Sequence, residues 1–131
     1  MVLDTSAIIA ILTGEPEQAP FIQAILSADR NRLSAATWVE TSIVIESRYG
    51  AAGLYHLGRF LARAGTETVA VDAEQAHIAR DAFQRYGKGR HPAALNFGDC
   101  FAYALSIAHD DPLLFKGENF TKTDITAVNW V

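Results

Sequence analysis

One cysteine, Cys100, is the whole thiol complement of the 131 residues. The chain therefore has no intramolecular disulfide and no pair of thiols at zinc-knuckle spacing. No apolar run reaches 18 residues, so nothing is expected to span a membrane. The opening Met1-Val2-Leu3-Asp4 lacks the basic and long apolar stretches of a secretory signal, and a cytoplasmic protein is expected. Positive charge is scarce, with a formal net charge of -4. That argues against a protein that coats nucleic acid electrostatically. An enzyme that holds nucleic acid briefly stays compatible, because bound divalent cations would offset part of the charge. Internal repeats, low-complexity tracts and Pro/Gly/Ser linkers are also missing, so one domain is expected over 1–131. The histidines His56, His77, His91 and His109 are scattered and read as surface or structural, not as a zinc set.

Half of the residues are hydrophobic, and they fall into alternating strand and helix patterns. Val2-Leu3 reads as a buried strand ending at Asp4, followed by a short apolar helix over Ala7 to Leu12. A helix over Glu17 to Ala28 would turn Phe21, Ile22, Ile25 and Leu26 inward. Arg32 to Ala36 reads as the second strand. Thr37 then starts a helix with Val39, Ile43 and Val44 inward. Gly50 and Gly53 bracket a turn into a further helix, roughly Leu54 to Ala64. Thr66 to Val71 is β-branched and alternating, a third strand, and Asp72 caps a helix from Ala73 to about Tyr86. Gly98-Asp99 opens an apolar helix to about His109. Leu113 to Phe115 is a short buried strand, with Ala127 to Trp130 a candidate for the last. The order implies an α/β fold: a central parallel sheet between two helical layers. Function in such sheets gathers at the carboxyl ends of the strands.

Three acids stand in unusual places. Asp4 directly follows the first strand, although Asp is also a good helix N-cap. Glu40 lies on a helix read as internal, although Thr37-Trp38-Val39-Glu40 fits a capping box. Asp99 begins a helix that is apolar all round and hence buried. The helix dipole there returns only about 0.3–1 kcal/mol, against several kcal/mol for burying an ion without compensation. A joint explanation covers all three. Carboxylates converging at one end of the sheet would repel and raise one another's pKa, and a hard divalent cation such as Mg²⁺, which favours carboxylates, waters and phosphate oxygens, removes that penalty.

Four segments resemble the PIN-domain family, and within it the VapC-type toxins of bacterial toxin–antitoxin pairs. Met1-Val2-Leu3-Asp4-Thr5-Ser6-Ala7 resembles the opening strand, first acid and hydroxyl. Glu40-Thr41 resembles the second acidic motif. Leu95-Asn96-Phe97-Gly98-Asp99-Cys100-Phe101-Ala102-Tyr103-Ala104 resembles the third and is the most specific. Leu113-Leu114-Phe115-Lys116-Gly117-Glu118-Asn119-Phe120, with Thr123-Asp124-Ile125, resembles the closing motif. The resemblance implies a metal-dependent endoribonuclease using Mg²⁺ or Mn²⁺, a homodimer, and a cognate VapB-like antitoxin that occludes the acidic site. It makes Asp4, Glu40 and Asp99 metal-site and catalytic residues. The family pattern often has a fourth acid where this chain has Asn119; Asn119 can still hold a water, and Glu118 or Asp124 is a candidate substitute, with a turn or cap role for Asp124 favoured.

The expected chemistry is hydrolysis of an RNA phosphodiester by water activated on a cation between Asp4 and Asp99, with Glu40 orienting or deprotonating that water. Thr5 and Ser6, at a helix start, are candidate phosphate contacts, with ordinary capping as the alternative. Lys88, Arg90, His91 and Lys116 are candidate backbone contacts, or simply solvated cations. Cys100, Phe101 and Tyr103 read as core. Two other classes compete. A catalytically inactive PIN-fold interaction module would account for Asn119. A receiver domain with Asp72 as phosphoacceptor fits the length, but lacks the second acid beside Asp4 and a Lys-Pro after the last strands. A phosphatase with Asp4 as nucleophile would want an acid at Ser6.

Overall fold

The computed structural model describes residues 1–131. Four strands form one parallel sheet in the order β3-β2-β1-β4: β1 Val2–Leu3, β2 Asn31–Ser34, β3 Thr66–Val69 and β4 Leu113–Leu114. Side chains alternate across a strand, and the two short central strands show what that does. Val2 and Leu113 enter one buried cluster with Leu95, Tyr103 and Leu105. Leu3 and Leu114 enter the other, with Ile8, Phe21, Leu33 and Ile45. The sheet thus separates two cores, each roofed by helices.

One roof holds α1 Thr5–Leu12, α2 Gln18–Ser27 and α3 Ala35–Arg63. The other holds α4 Ala73–Tyr86 and α5 Phe97–His109. Caps match the sequence reading at two ends. Asp4 accepts from the Ser6 amide at α1, and Asp72 accepts from the Gln75 amide at α4, 2.8 Å away. A 3₁₀ turn over Asn119–Lys122 closes the chain against the sheet edge, and Ala127 makes only an isolated bridge to Leu113. The expected last strand is therefore a single bridge.

The third helix departs most from expectation. The segment Ala35–Arg63 is two helices meeting at a kink, and Ser34, not Thr37, caps the first of them through the Ala36 amide. The break between two helices expected at Gly50 is present as that kink, at φ 64° and ψ -154°, a conformation essentially restricted to glycine. With the cap moved three residues back, the buried row becomes Thr37, Thr41 and Ile45, while Trp38, Val39 and Ile43 face outward. The Thr37–Glu40 capping box is thereby overturned. Leu26 on α2 is likewise exposed, while Phe21 and Ile25 carry the inner face.

Candidate active site

The three acids come from three elements and meet at the carboxyl edge of the sheet. Asp4 follows β1 and is almost completely buried. Glu40 projects from the second turn of α3, and Asp99 from the first turn of α5. Each carboxylate is anchored by one oxygen. Asp4 Oδ2 accepts from the Ser6 amide at 3.0 Å and the Ser6 hydroxyl at 2.6 Å. Glu40 Oε1 accepts from the Thr5 hydroxyl at 2.5 Å, and Thr5 is itself 2.9 Å from the Thr41 hydroxyl. Asp99 Oδ2 accepts from the Asn96 amide at 2.9 Å, and the Asn96 side chain accepts from the Asp99 amide in return. The second oxygen of each acid has no hydrogen-bond partner in the chain.

Glu40 is held from a second side by the backbone of α5. A Cβ built on Gly98 would fall 1.9 Å from Glu40 Oε2, so only glycine lets that carboxylate rest on the first turn of the helix. This close approach couples the second acid to the element carrying the third. Helix N-termini favour nearby negative charge, which offsets part of the repulsion.

Burial first, and mutual repulsion after it, disfavour the charged forms of Asp4 and Asp99. Burial, then the charges of Asp99 and Glu40, lift the Asp4 carboxyl to about 6 against the opposing Ser6 hydrogen bonds. Asp99 is also raised, by burial first and then by Glu40, with the Asn96 hydrogen bond opposing. No Lys, Arg or His forms an ion pair with any of the three. They share one electrostatic neighbourhood, but no three His, Cys, Asp or Glu side chains stand close enough together to hold a metal ion as they are placed. An all-oxygen donor set with unpartnered oxygens suits a hard divalent cation that keeps several waters, and the Gly98 cradle keeps Glu40 in place for it.

The other candidates are placed as follows. Thr5 and Ser6 bond Glu40 and Asp4, and the Ser6 hydroxyl also accepts from the Lys116 amide at 3.0 Å. The Lys116 ammonium pairs with Glu15 and Glu17, each at 3.2 Å. Arg90 is exposed, its guanidinium 5.7 Å from the Phe83 ring centre. His91 accepts from the Ala93 amide within its own loop. Asn119 is exposed on the 3₁₀ turn and bonds none of the acids. Asp124 accepts from the Tyr103 hydroxyl at 2.6 Å and from Arg85 at 3.3 Å, a clasp that holds the chain's end to α4 and α5 in place of a cap. Cys100 is buried and its thiol is pushed up to about 11 by burial and by Asp99, as a core residue would be. The sequence reading missed Gly98 and the Asn96 box. The second carried a readable sign, an Asn three residues before an acid at a helix start.

The comparisons with known proteins point one way. A model of the PIN domain matches residues 1–125. Over 129 residues the chain is 53% identical to a Ribonuclease VapC of Mycolicibacterium smegmatis, covering 98% of this chain and 100% of the relative. It is 51% identical over 129 residues to Ribonuclease VapC30 of Mycobacterium tuberculosis, covering 98% of each. In fold it matches VapC20 of Mycobacterium tuberculosis, a sarcin-ricin loop cleaving toxin, with a TM-score of 0.78 over 98% of each chain at 15% identity. A chain of the VapBC2 complex of Rickettsia felis, bound to promoter DNA, gives 0.78 over 99% of this chain and 98% of that one at 13% identity. The two structures establish the shared fold, and the domain match and the near-full-length relatives establish the lineage: this chain belongs to the PIN-domain family, among the VapC ribonucleases.

Proposed function

We propose that this protein is the endoribonuclease toxin of a toxin–antitoxin pair, a single domain that cuts RNA with a divalent cation, Mg²⁺ or Mn²⁺, held by Asp4, Asp99 and Glu40. One observation carries the assignment of the site. Three carboxylates from three elements are each fixed by one oxygen, leave the other without a partner, and have no cation of the chain to pair with. Uncompensated clustering of this kind costs stability, and function is the reason a fold carries such a cost.

The cation supplies charge neutralisation at the phosphate and lowers the pKa of the attacking water. The chain's own residues do the rest. Ser6 and Asn96 fix the rotamers of Asp4 and Asp99, so their unpartnered oxygens stay aimed. Thr5, backed by Thr41, and the Gly98 cradle hold Glu40. From there Glu40 Oε2, reaching the cation through the water, would orient that water and take its proton as oxygen adds to phosphorus, while the bond to the ribose oxygen breaks and that oxygen takes a proton from solvent.

Partners follow from the same reading. An apolar cleft of about 690 Å³ between the α1–α2 pair and the end of α3, lined by residues including Leu12, Ile22, Leu26, Tyr55 and Phe60, suits an amphipathic antitoxin segment. The outward Trp38, Val39 and Ile43 suit a second copy of the chain, giving a homodimer. No helix is long and apolar enough to cross a membrane, and we assign the protein to the cytoplasm with its RNA. Cleavage of RNA in Mn²⁺, with Asp4→Asn and Asp99→Asn as controls, tests the activity. Equal cleavage by wild type and both variants would leave a non-catalytic interaction module, the reading that Asn119 favours.

A further inference from the structure

Phe97 is 78% exposed, the most exposed aromatic ring of the chain, and it stands two residues before Asp99 in the first turn of α5. A single exposed ring is ordinary, but one that joins a contiguous apolar patch marks a candidate interaction surface. Phe97 is not loose: Phe101, one turn on, packs against it edge to face, with ring centres 4.9 Å apart at 81°. The two rings border a cleft of about 410 Å³ between α4 and α5, lined also by Phe83, Ala76, Ala79 and Arg80. The small alanines make room for a flat object beside the rings.

Charge around this cleft runs against the rest of the molecule. The chain is net negative, yet the charged residue lining the cleft is Arg80, and Arg90 adds a second guanidinium over Phe83. Neither arginine has a carboxylate partner, so both guanidinium groups are available to an anionic ligand. Aromatic faces beside free guanidinium groups are what an unstacked base and its flanking phosphates require.

We propose that the cleft between α4 and α5 is a nucleobase subsite, in which Phe97 stacks on one unpaired base beside the phosphodiester to be cut, with Arg80 and Arg90 facing the neighbouring phosphates. The inference rests on the ribonuclease reading and sharpens it. A base inside a duplex cannot reach the rings, so the subsite takes an unstacked one.

Two probes separate stacking from charge: a short fluorescein-labelled single-stranded RNA of random sequence, and an abasic ribose-phosphate chain of the same length. Binding is followed by anisotropy without divalent cation, so that nothing is cleaved. Wild type should prefer the base-bearing probe. Phe97→Ala should weaken that probe about tenfold and leave the abasic one unchanged, Phe97→Tyr should restore it, and Arg80→Ala should weaken both. Phe97 is a surface residue, so melting and light scattering should stay at wild-type values. Equal wild-type affinity for the two probes, or equal losses on both with Phe97→Ala, would overturn the subsite. So would a change in assembly size with Phe97→Ala, which would assign the ring to contact between protein chains. The two readings fail differently. Base-selective binding without cleavage in Mn²⁺ would sink the nuclease, whereas cleavage with no preference between probes would sink only the subsite.

Discussion

The two edges of the sheet treat carboxylates in opposite ways. At the amino edge, Asp111 lies between the Met1 ammonium at 3.1 Å and Arg32 at 2.6 Å. At the carboxyl edge, Asp4, Glu40 and Asp99 share their surroundings with one another and with no cation of the chain. Asp111 joins the starts of three strands and needs nothing further. The other three acids are braced by hydroxyls and amides that fix their direction without cancelling their charge. One edge is built for stability, and the other keeps an electrostatic debt that a ligand can settle.

Exchanging an acid at each edge is the sharpest way to break this contrast. Asp99→Asn should lower the rate of RNA cleavage on the order of a thousandfold, as expected when a group that acts on the developing charge is lost. The fold should survive, because the amide can still accept from Asn96. Asp111→Asn should do the reverse. It leaves the Met1 ammonium and Arg32 without their counter-charge and should cost about 3 kcal/mol of stability, while cleavage per folded molecule stays at the wild-type value. Denaturant melts beside initial rates measure both. If Asp111→Asn slowed cleavage as much as Asp99→Asn, the division between the edges would be wrong.

Acidity sharpens the comparison next. Asp4 has its folded pKa at about 6, above the ordinary 3.8. Between those values the folded chain binds more protons than the unfolded one, so the Asp4 contribution to stability falls as pH rises through that window. At about 1.4 kcal/mol per pKa unit, the full penalty above the window is roughly 3 kcal/mol. Metal-free protein should therefore gain stability from Asp4 as pH is lowered from 7 towards 4. Mn²⁺ should raise the melting temperature at pH 7 and do less at pH 4, where Asp4 carries a proton. In Asp4→Asn the window should shrink, leaving the part that Asp99 contributes. A melting profile unaltered by that substitution would show that Asp4 is not raised in the folded chain.

Most of the fold was legible from the sequence, and the three acids stood out as candidates, because both rest on short-range patterns. Val2-Leu3 is buried and ends at an acid, and Asp72 caps its helix. What failed was helical phase. Val39 and Ile43 were read as inward because they are the larger apolar residues, yet Thr37 and Thr41 take the buried face. Small hydroxyl residues let α3 approach α1 closely enough for Thr41 to reach Thr5, a tertiary demand that hydrophobicity does not encode. The Arg32–Asp111 pair joins residues 79 positions apart, and no local pattern announces it. Gly98 is the same kind of case: it reads as a helix-start glycine, and only the position of Glu40 shows why a side chain is excluded.

Gly98→Ala tests that packing. The added methyl must displace the Glu40 carboxylate, since it would otherwise overlap Oε2. Misplacing a catalytic group by about 1 Å costs on the order of a hundredfold in rate. The expected result is that loss in cleavage with little loss of the fold, because alanine suits a helix better than glycine. Unchanged cleavage by Gly98→Ala would remove Glu40 from the reaction.

Thr41→Val is the mildest probe and the most specific. Valine keeps the shape and burial of Thr41 and removes only the hydroxyl 2.9 Å from Thr5. Thr5 would still donate to Glu40, but its hydroxyl would be free to turn. A hydrogen bond to an uncharged partner is worth about 1 kcal/mol, so cleavage should drop about fivefold. That loss should disappear in a Glu40→Gln background, where there is no carboxylate left to hold. If Thr41 mattered only for packing, the two effects would instead multiply, and melting would fall together with rate. The double-mutant cycle thus decides whether the braces behind the acids serve the reaction or merely the core, on the one edge of the sheet where the two roles meet.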